Sequence, residues 1–489
     1  MNYRMILSLM GYVLLLIGAF FLLPCIVALI YGESEVVSLL LTVGICVVLG
    51  FGLIVLRPKH NRTMQARDGF VMVSLSWILI SLVGALPFYL SGHIPSYLDA
   101  VFETVSGFTT TGSSILRDVE ALPKCLLFWR SLTHWLGGMG VLVFMLAIVP
   151  MSGESIYLLK AESPGPSVSK MVPKMRTSSL ILYGIYMGFT VLQVLLYQLG
   201  RLFGWGNISL FDSLCLTFGS VGTGGFALLR DGLASYSTYE QVLTTVFMIL
   251  CGVNFSIYFF ILRGKIKLVW QNSELKCYLG IILAAILLIT VNLMMTGGFF
   301  DKAGDAIHHV AFTVGSVITT TGYGTVDFAK WPEFSRAVLA ILMIVGASAG
   351  STGGGMKVSR VLILTKSARS ELRRLLHPHT VEVMKMDGKR VDRDVIRGTA
   401  AYLVVYLLIM FASILLVSLD NFGTETTVTA VFATLNNIGP GTSAINGPFG
   451  SFADFSNLSK IVMIADMLFG RLEIFPMLIL LRPSTWVKH

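Results

Sequence analysis

Four short segments rich in threonine and glycine have the composition needed to hold a dehydrated alkali cation. They are the segments Phe108–Ser113, Val221–Phe226, Ile318–Gly324 and Asn436–Gly441. Such an ion needs a ring of oxygen atoms in place of its water shell, and inward-pointing backbone carbonyls supply one. Glycine permits the dihedral angles that this backbone requires and lets several segments approach one axis. The residue types therefore indicate a site for a monovalent cation.

The residues expected around the ion follow from an alignment of the four segments on one glycine in each. The aligned glycines lie one repeat length apart along the chain. The predicted ion-binding residues are Thr110, Thr111, Gly112, Gly222, Thr223, Gly224, Thr320, Thr321, Gly322, Asn437, Ile438 and Gly439. One such segment alone would be an ordinary polar loop with a glycine turn. Four segments at repeat spacing, each after a short apolar stretch, favour one shared site.

A second feature is the run of small residues that extends from Gly346 to Gly355. It interrupts a long apolar stretch, and each glycine in a helix interior is unfavourable by about 1 kcal/mol relative to alanine. The run therefore predicts a break in the helix, although close packing of small residues between membrane helices is another explanation. A nucleotide-binding P-loop is excluded, because no Gly-Lys-Ser/Thr sequence follows and no strand precedes.

Arg471 is a charged residue within an otherwise apolar stretch, and Asp466 and Glu473 lie close to it in sequence. A charge inside a membrane span is unfavourable and marks a functional site by default. A structural ion pair between Arg471 and one of the two acids is the competing interpretation.

The remaining charged or titratable residues in or beside the apolar stretches are assigned structural roles. Arg130, His134 and Arg336 are expected to be helix-end or interface anchors. His308 and His309 are expected to pack a helix, because no third metal ligand is nearby.

The composition indicates which elements must position these residues. The chain of 489 residues is 55% hydrophobic and 13% charged, about half the usual charged fraction. Apolar runs of about 20 residues recur, and such runs cross the hydrocarbon core of a bilayer. The composition predicts an all-α integral membrane protein in contact with lipid. The net charge of +9 does not indicate nucleic-acid binding, because it is concentrated in connectors between apolar runs. No catalytic or nucleotide motif indicates an enzyme.

The apolar runs form two N-terminal spans followed by four copies of one unit. Each copy has a long span, a shorter semi-polar stretch and a second long span. A stretch of 10–14 residues is too short to cross and fits a re-entrant segment. The predicted units are two transmembrane helices in 1–57, repeats 68–150, 178–263, 275–366 and 396–482, and a basic linker in 367–395, with the second helix of the third repeat interrupted. The total is ten transmembrane helices, with four re-entrant loops around one pore.

The distribution of charge predicts the orientation in the membrane. Most of the 36 lysines and arginines lie in connectors on one side, and the connectors on the other side are acidic. By the positive-inside bias the basic side, which holds both termini, is the cytoplasm. Acidic residues at an outer pore mouth would raise the local cation concentration.

The four segments and the repeats that carry them resemble the Trk/Ktr/HKT superfamily of K⁺ transport proteins, from about Gly69 to the C-terminus. The two additional N-terminal spans are similar to the TrkH/TrkG branch of that superfamily. The segment Thr320–Gly324 also resembles the TVGYG filter of tetrameric K⁺ channels. The resemblance implies uptake of K⁺ across a bacterial cytoplasmic membrane, with K⁺ as the transported ion and no covalently bound cofactor. Gly112 points toward K⁺, because some members carry serine there.

The resemblance also implies a gate and two kinds of partner. The gate residues would be Gly346, Gly350, Gly353, Gly354, Gly355 and Arg471, with the glycines in an intramembrane loop and the arginine as a cationic barrier in the pore. The partners would be a second copy of the chain, in a homodimer with one pore per protomer, and a cytoplasmic TrkA-type nucleotide-binding regulator. The scarcity of membrane acids favours a channel-like subunit over the alternative, a K⁺/H⁺ or K⁺/Na⁺ symporter.

Overall fold

The computed structural model describes residues 3–55, 66–140, 175–378 and 383–486. Within these ranges the chain forms helices joined by short loops, and the only strands there are Lys385–Met386 and Lys389–Arg390, which pair as an antiparallel hairpin. The hairpin lies in the predicted basic linker. The described part of the chain is therefore helical, as the composition predicts.

Six helices in the described ranges are long and apolar enough to cross a membrane. They are Tyr3–Tyr31, Val36–Val55, Arg67–Leu90, Ser179–Leu202, Ser273–Thr296 and Arg393–Asp420. They correspond to the two predicted N-terminal spans and to the first span of each repeat. Large apolar side chains such as Leu29, Leu283 and Leu415 are exposed on them, which is stable only where lipid covers the helix.

Each repeat continues with a short helix of 12 to 16 residues, close to the length predicted for a re-entrant segment. The short helices are Tyr97–Phe108, Leu210–Val221, Ala303–Ile318 and Thr424–Leu435. Serine caps begin the first two, because Ser96 and Ser209 accept hydrogen bonds from backbone N–H groups of the first turn, at 3.3 and 3.0 Å. At 1.5 Å per residue, a helix of this length crosses about half of the hydrocarbon core.

The second helices of repeats two and four are more interrupted than the sequence predicts. The segments are Lys124–Gly138 in repeat one, Thr238–Cys251 with Phe255–Leu262 in repeat two, Glu333–Val345 with Val358–Leu376 in repeat three, and Asn457–Arg471 with Phe475–Leu481 in repeat four. The predicted break after Val345 is present. The prediction of a continuous second span in repeats two and four is wrong, and the two segments of repeat two meet at 91°.

Local chemistry explains the two unpredicted breaks. The Asn254 side chain accepts the backbone N–H of Ser256 at 2.9 Å, so it begins a new helix inside the apolar stretch. In repeat four, Glu473 and Ile474 have φ values of 61° and 62°, which end the helix.

Some predicted segments lie wholly or partly outside the described residues. They are residues 141–150 at the end of repeat 68–150, and most of the connectors that precede and follow this repeat.

The four repeats pack as a closed ring. The second helix of each repeat lies against its own short helix and, in three repeats, against the short helix of the next repeat in the chain. The second helix of the fourth, Asn457–Arg471, packs against the short helix of the first, Tyr97–Phe108. This last contact closes the ring and brings the C-terminal ends of all four short helices to its centre.

Candidate ion-binding site

The four threonine- and glycine-rich segments, here called the filter loops, repeat one backbone conformation. In each loop one N–H donates to the carbonyl five residues earlier, over 2.8, 2.7, 2.8 and 2.9 Å in chain order; the donors are Thr111, Gly224, Thr321 and Ile438. The residue before each donor is left-handed, with φ of 54°, 52°, 58° and 55° at Thr110, Thr223, Thr320 and Asn437. The same turn therefore ends all four short helices.

The backbone corrects the sequence alignment of the second loop. The residue after each donor is a glycine with φ of 83°, 81°, 88° and 99°, and these glycines are Gly112, Gly225, Gly322 and Gly439. Gly225 rather than Gly224 is thus the equivalent of Gly112, so the aligned position predicted for repeat two was wrong by one residue. Two consecutive glycines satisfy the sequence pattern equally well, and only the φ angle distinguishes them.

The four filter loops touch one another around a common centre. A Cβ atom on Gly112 would overlap the carbonyl oxygen of Gly224 in the next repeat. A Cβ atom on Gly225 would overlap the carbonyl oxygen of Thr321, and one on Gly322 would overlap that of Ile438. A Cβ atom on Gly439 would lie 2.8 Å from the carbonyl oxygen of Thr111. Each contact joins one loop to the carbonyl of the next, and the fourth returns to the first. The structure therefore brings all four predicted segments together in a ring of backbone carbonyls.

A cavity opens above this ring. Its empty volume is about 590 Å³, including space open to solvent, and all four ring glycines line it. The charged residues on its wall within the described ranges are Arg117, Arg130 and Arg230. Within the described part, no carboxylate belongs to the wall of this cavity itself. Two of these arginines pair with carboxylates: Arg130 with the buried Glu103, and Arg117 with the exposed Asp454.

Most polar side chains of the filter loops are engaged within the protein. The hydroxyls of Thr109 and Thr111 lie 2.8 Å apart, as do those of Thr319 and Thr321. The Asn437 amide donates to the Thr111 hydroxyl at 2.9 Å. The arrangement leaves backbone carbonyls as the oxygens best placed for an ion, with side chains as their support.

The glycine-rich loop, residues 346–357, lies directly beneath the ring. Its Gly354 N–H donates to the hydroxyl of Thr320 at 2.5 Å, and its Gly355 N–H donates to the carbonyl of Asn436 at 3.1 Å. Its other side hydrogen-bonds with the break in repeat two, where the Ser348 N–H donates to Gly252. The loop is a buried irregular segment that contacts three repeats. Small-residue packing between regular helices does not describe it.

Arg471 bridges the filter loops, the glycine-rich loop and the first repeat. Its guanidinium donates to the carbonyls of Gly137 and Gly138, and to the carbonyl of Thr352 at 2.8 Å. It also donates to the hydroxyl of Thr110 at 3.3 Å. A charge in this position stands next to any ion that leaves the ring on the lower side.

The two acids near Arg471 in sequence bind other residues. Glu473 forms an ion pair with Arg360, and Asp466 accepts a hydrogen bond from Ser413 at 2.7 Å. The interpretation of Arg471 as a partner of these acids is therefore not supported by the geometry. The break after Leu472 turns Glu473 away along a new direction, which sequence proximity does not convey.

Three charged residues of the lower region were missed in the sequence. Lys357 is buried, and its ammonium donates to the carbonyls of Gly353 and Gly354, the latter at 3.1 Å. Arg360 stacks over the ring of Tyr402 at 3.9 Å. Glu274 accepts the N–H of Ala349 at 2.6 Å. The available signal was the lysine two residues after the glycine-rich run.

Two of the residues expected to be anchors contact the second filter loop. Arg130 donates to the carbonyl of Ala227 at 2.9 Å, and His134 accepts the N–H of Phe226 at 3.1 Å. Arg336 instead pairs with Glu425 away from the ring.

The two adjacent histidines pack as expected. His308 lies 2.7 Å from the Gln241 amide oxygen, and His309 lies 3.0 Å from the Thr325 hydroxyl.

Comparisons with known proteins identify relatives that match nearly the whole chain. The family model TrkH, described as a cation transport protein, matches residues 38–488. The Trk system potassium uptake protein TrkH of Vibrio parahaemolyticus is 32% identical over 493 residues, which cover 99% of this chain and 100% of that protein. The corresponding TrkG protein of Escherichia coli is 30% identical over 488 residues, which cover 99% and 98%.

A solved structure supports the same relationship. The crystal structure of the potassium transporter TrkH from Vibrio parahaemolyticus matches with a TM-score of 0.88 at 31% sequence identity, and the match covers 100% of both chains. The resemblance seen in the four segments is thereby confirmed at the level of the family. The chain belongs to the TrkH family of cation transport proteins.

Proposed function

We propose that this protein takes up K⁺ across the bacterial cytoplasmic membrane through the ring formed by the four filter loops. The observation that carries the proposal is the closed sequence of contacts in which each ring glycine abuts a carbonyl of the next loop. Such a ring can replace the hydration shell of a monovalent cation. The related proteins are named as potassium uptake proteins, which favours K⁺ as the ion.

The proposed architecture has ten membrane spans, with the four repeats in pseudo-fourfold order around one pore. Six spans have sufficient length in the described ranges, and the broken second helices would supply the other four. Irregular backbone at membrane depth is tolerated where it lines a cavity or is buried in protein. The ring, the glycine-rich loop and the helix breaks all meet this condition.

The proposed ion ligands are carbonyls of the predicted residues of the four filter loops, with Gly225 in place of Gly224 as the ring glycine of repeat two. The glycine-rich loop and Arg471 form the proposed gate beneath them. Lys357, which is buried, adds a second basic side chain there. Positive charge in a narrow path opposes a passing cation, so the described conformation is a closed one.

Passive conduction is the mechanism that the site favours. Two carboxylates near the gate, the buried Glu274 and the partly buried Glu473, are engaged with Ala349 and Arg360. A coupled K⁺/H⁺ or K⁺/Na⁺ symporter is the alternative. The observation in its favour is the second carboxylate oxygen of Asp466, which is buried and has no hydrogen-bond partner among the described residues.

Reconstitution into liposomes tests the proposal. Currents through the purified protein should reverse at the K⁺ equilibrium potential, whatever the proton or Na⁺ gradient. A reversal potential that moves with either gradient would indicate coupled transport. The absence of any K⁺-dependent current or ⁸⁶Rb⁺ flux would contradict the proposal.

The proposed partners are a second copy of the chain and a cytoplasmic TrkA-type nucleotide-binding regulator. Related proteins are named as parts of a Trk system, which supports a system of more than one component. Recording with and without such a regulator and its nucleotides tests this part of the proposal.

Glu274→Ala should increase K⁺ flux about tenfold. The Glu274 carboxylate accepts the Ala349 N–H at 2.6 Å and is buried, so it holds the glycine-rich loop closed. Loss of a hydrogen bond to a charged group destabilises the closed loop by about 1.5–3 kcal/mol, and each 1.4 kcal/mol is about tenfold in population. Flux of ⁸⁶Rb⁺ per folded protein measures the effect.

Two further variants calibrate this experiment. Glu274→Gln retains an acceptor oxygen and should show a smaller increase, and Glu371→Ala, on the exposed part of helix Val358–Leu376, should show none. Unchanged flux in folded Glu274→Ala would remove Glu274 from the gate.

A further inference from the structure

His134 occupies the space in which the other filter loops place a side chain. The position before the ring glycine is Thr111, Thr321 and Ile438 in repeats one, three and four, but Gly224 in repeat two. A Cβ atom on Gly224 would overlap the imidazole of His134. Gly224 is not among the residues with positive φ, so its backbone does not require glycine. The imidazole is the reason for glycine at this position.

His134 also joins the first short helix to the second filter loop through hydrogen bonds. Its Nε2 atom accepts the Phe226 N–H at 3.1 Å, and its Nδ1 atom lies 2.8 Å from the carbonyl of Gly107. A backbone N–H can only donate, so Nε2 carries no proton and Nδ1 donates to Gly107. The ring is fully buried and lies 4.1 Å from the Phe226 ring, between centroids. This neutral histidine connects the first short helix with the backbone just after Gly225.

Arg130 holds the same backbone one helical turn away from His134. Its Nη1 donates to the Ala227 carbonyl at 2.9 Å, and its guanidinium lies 3.5 Å from the centre of the Phe226 ring. Its Nε pairs with Glu103 at 2.6 Å, and both side chains are almost completely buried, at 3% and 0% exposure. The same Glu103 carboxylate accepts the Ile115 N–H at 2.9 Å, just beyond the first filter loop.

The second filter loop thus depends on groups outside its own sequence. Repeats one and three have a pair of threonine hydroxyls within the loop, Thr109 with Thr111 and Thr319 with Thr321. Repeat two has Gly222 and Gly224 at those two positions. Without those side chains the loop has no such internal support, and glycine-rich backbone has a high conformational entropy.

We propose that His134, together with Arg130 and Glu103, is a positioning residue that sets the carbonyl geometry of the second filter loop and so determines K⁺ over Na⁺ discrimination. This inference rests on the proposed role of the four loops as a K⁺ filter. In this inference, side chains of the first repeat support the second filter loop, which lacks the threonine pair found in loops one and three. Loss of the imidazole leaves a void behind Gly224 and strands the Phe226 N–H and the Gly107 carbonyl.

The test is a double-mutant cycle on His134 and Gly224, with the K⁺/Na⁺ permeability ratio as readout. His134→Ala should lower this ratio about tenfold, the effect expected for a lost buried hydrogen bond. Gly224→Val alone should abolish K⁺ current, because the valine overlaps the imidazole. Gly224→Val in the His134→Ala background should be tolerated and should partly restore the ratio, because valine fills the void and repeat four also has a β-branched residue, Ile438, at this position. His93→Ala, at an exposed histidine on the outer side, is the matched control and should match wild type.

The possible results separate this inference from the proposed function. If His134→Ala does not fold, His134→Gln replaces it, because glutamine retains a donor and an acceptor. His134→Gln should still lower the K⁺/Na⁺ ratio, and a His134→Gln protein with the wild-type ratio would overturn the inference. Equal damage from Gly224→Val in both backgrounds, or an unchanged ratio in folded His134→Ala, would also overturn it while wild type conducts K⁺ selectively. No K⁺-selective current in wild type would instead contradict the proposed function itself.

Discussion

Gly322→Ala should reduce K⁺ current by about a hundredfold or more in correctly folded protein. A Cβ atom at this position would lie closer than 3.0 Å to the carbonyl oxygen of Ile438 and to Pro440, a separation that real Cβ atoms essentially do not show. The residue also has a φ of 88°, a conformation that is strained by about 1–3 kcal/mol for other residues. Relief of both strains requires the carbonyls of the third and fourth loops to move apart. Since about 1.4 kcal/mol is a factor of ten in rate, the displaced ring conducts poorly.

The matched control for this prediction is Gly304→Ala on the short helix of the same repeat. Gly304 has no atom within 4 Å of an added Cβ, and its φ lies outside the left-handed region. Currents of both variants in planar bilayers, with thermal melting in detergent to verify folding, provide the measurement. A folded Gly322→Ala protein with the wild-type K⁺ current and K⁺/Na⁺ ratio would exclude the ring as the filter.

Arg471→Ala should raise K⁺ conductance strongly. Two unit charges at 4 Å repel by about 4 kcal/mol at an effective dielectric constant near 20, which corresponds to a rate factor of up to about a thousand. Carbonyls that accept from the guanidinium reduce this barrier, so an increase of about tenfold or more is the expectation. Removal of the side chain also releases the Thr352 carbonyl of the glycine-rich loop. Single-channel conductance and open probability measure the two effects separately.

Arg471→Lys distinguishes the charge from the hydrogen bonds. Lysine keeps the positive charge but cannot reproduce the forked contacts to Gly138 and Thr352. Conductance should therefore remain low while open probability rises. Arg336→Ala, which removes a guanidinium paired with Glu425, is the control and should conduct like wild type. A large fall in melting temperature for Arg471→Ala, without any change in conductance, would leave Arg471 a purely structural role.

Local features of the sequence determined much of the architecture. The length and spacing of apolar runs predicted the two N-terminal helices and the first helix of each repeat, because lipid requires a continuous apolar surface. Short semi-polar stretches that end in Thr and Gly predicted the short helices and their loops. The glycine run after Val345 predicted a break, because glycine destabilises a helix wherever it is placed. Each of these inferences depends only on residues that are neighbours in the chain.

Contacts between distant parts of the chain decided the rest. Gly224 and Gly225 are equivalent as sequence, and the carbonyl of Thr321 in another repeat distinguishes them. The partners of Arg471 are carbonyls in the first and third repeats, since the break after Leu472 separates it from Glu473. The identity of residue 224 depends on a histidine 90 positions away. Periodicity and composition indicate which face of a segment is buried. The contacts that close the ring, the partners of Arg471 and the placement of His134 against Gly224 arise only when segments from different repeats meet at one axis.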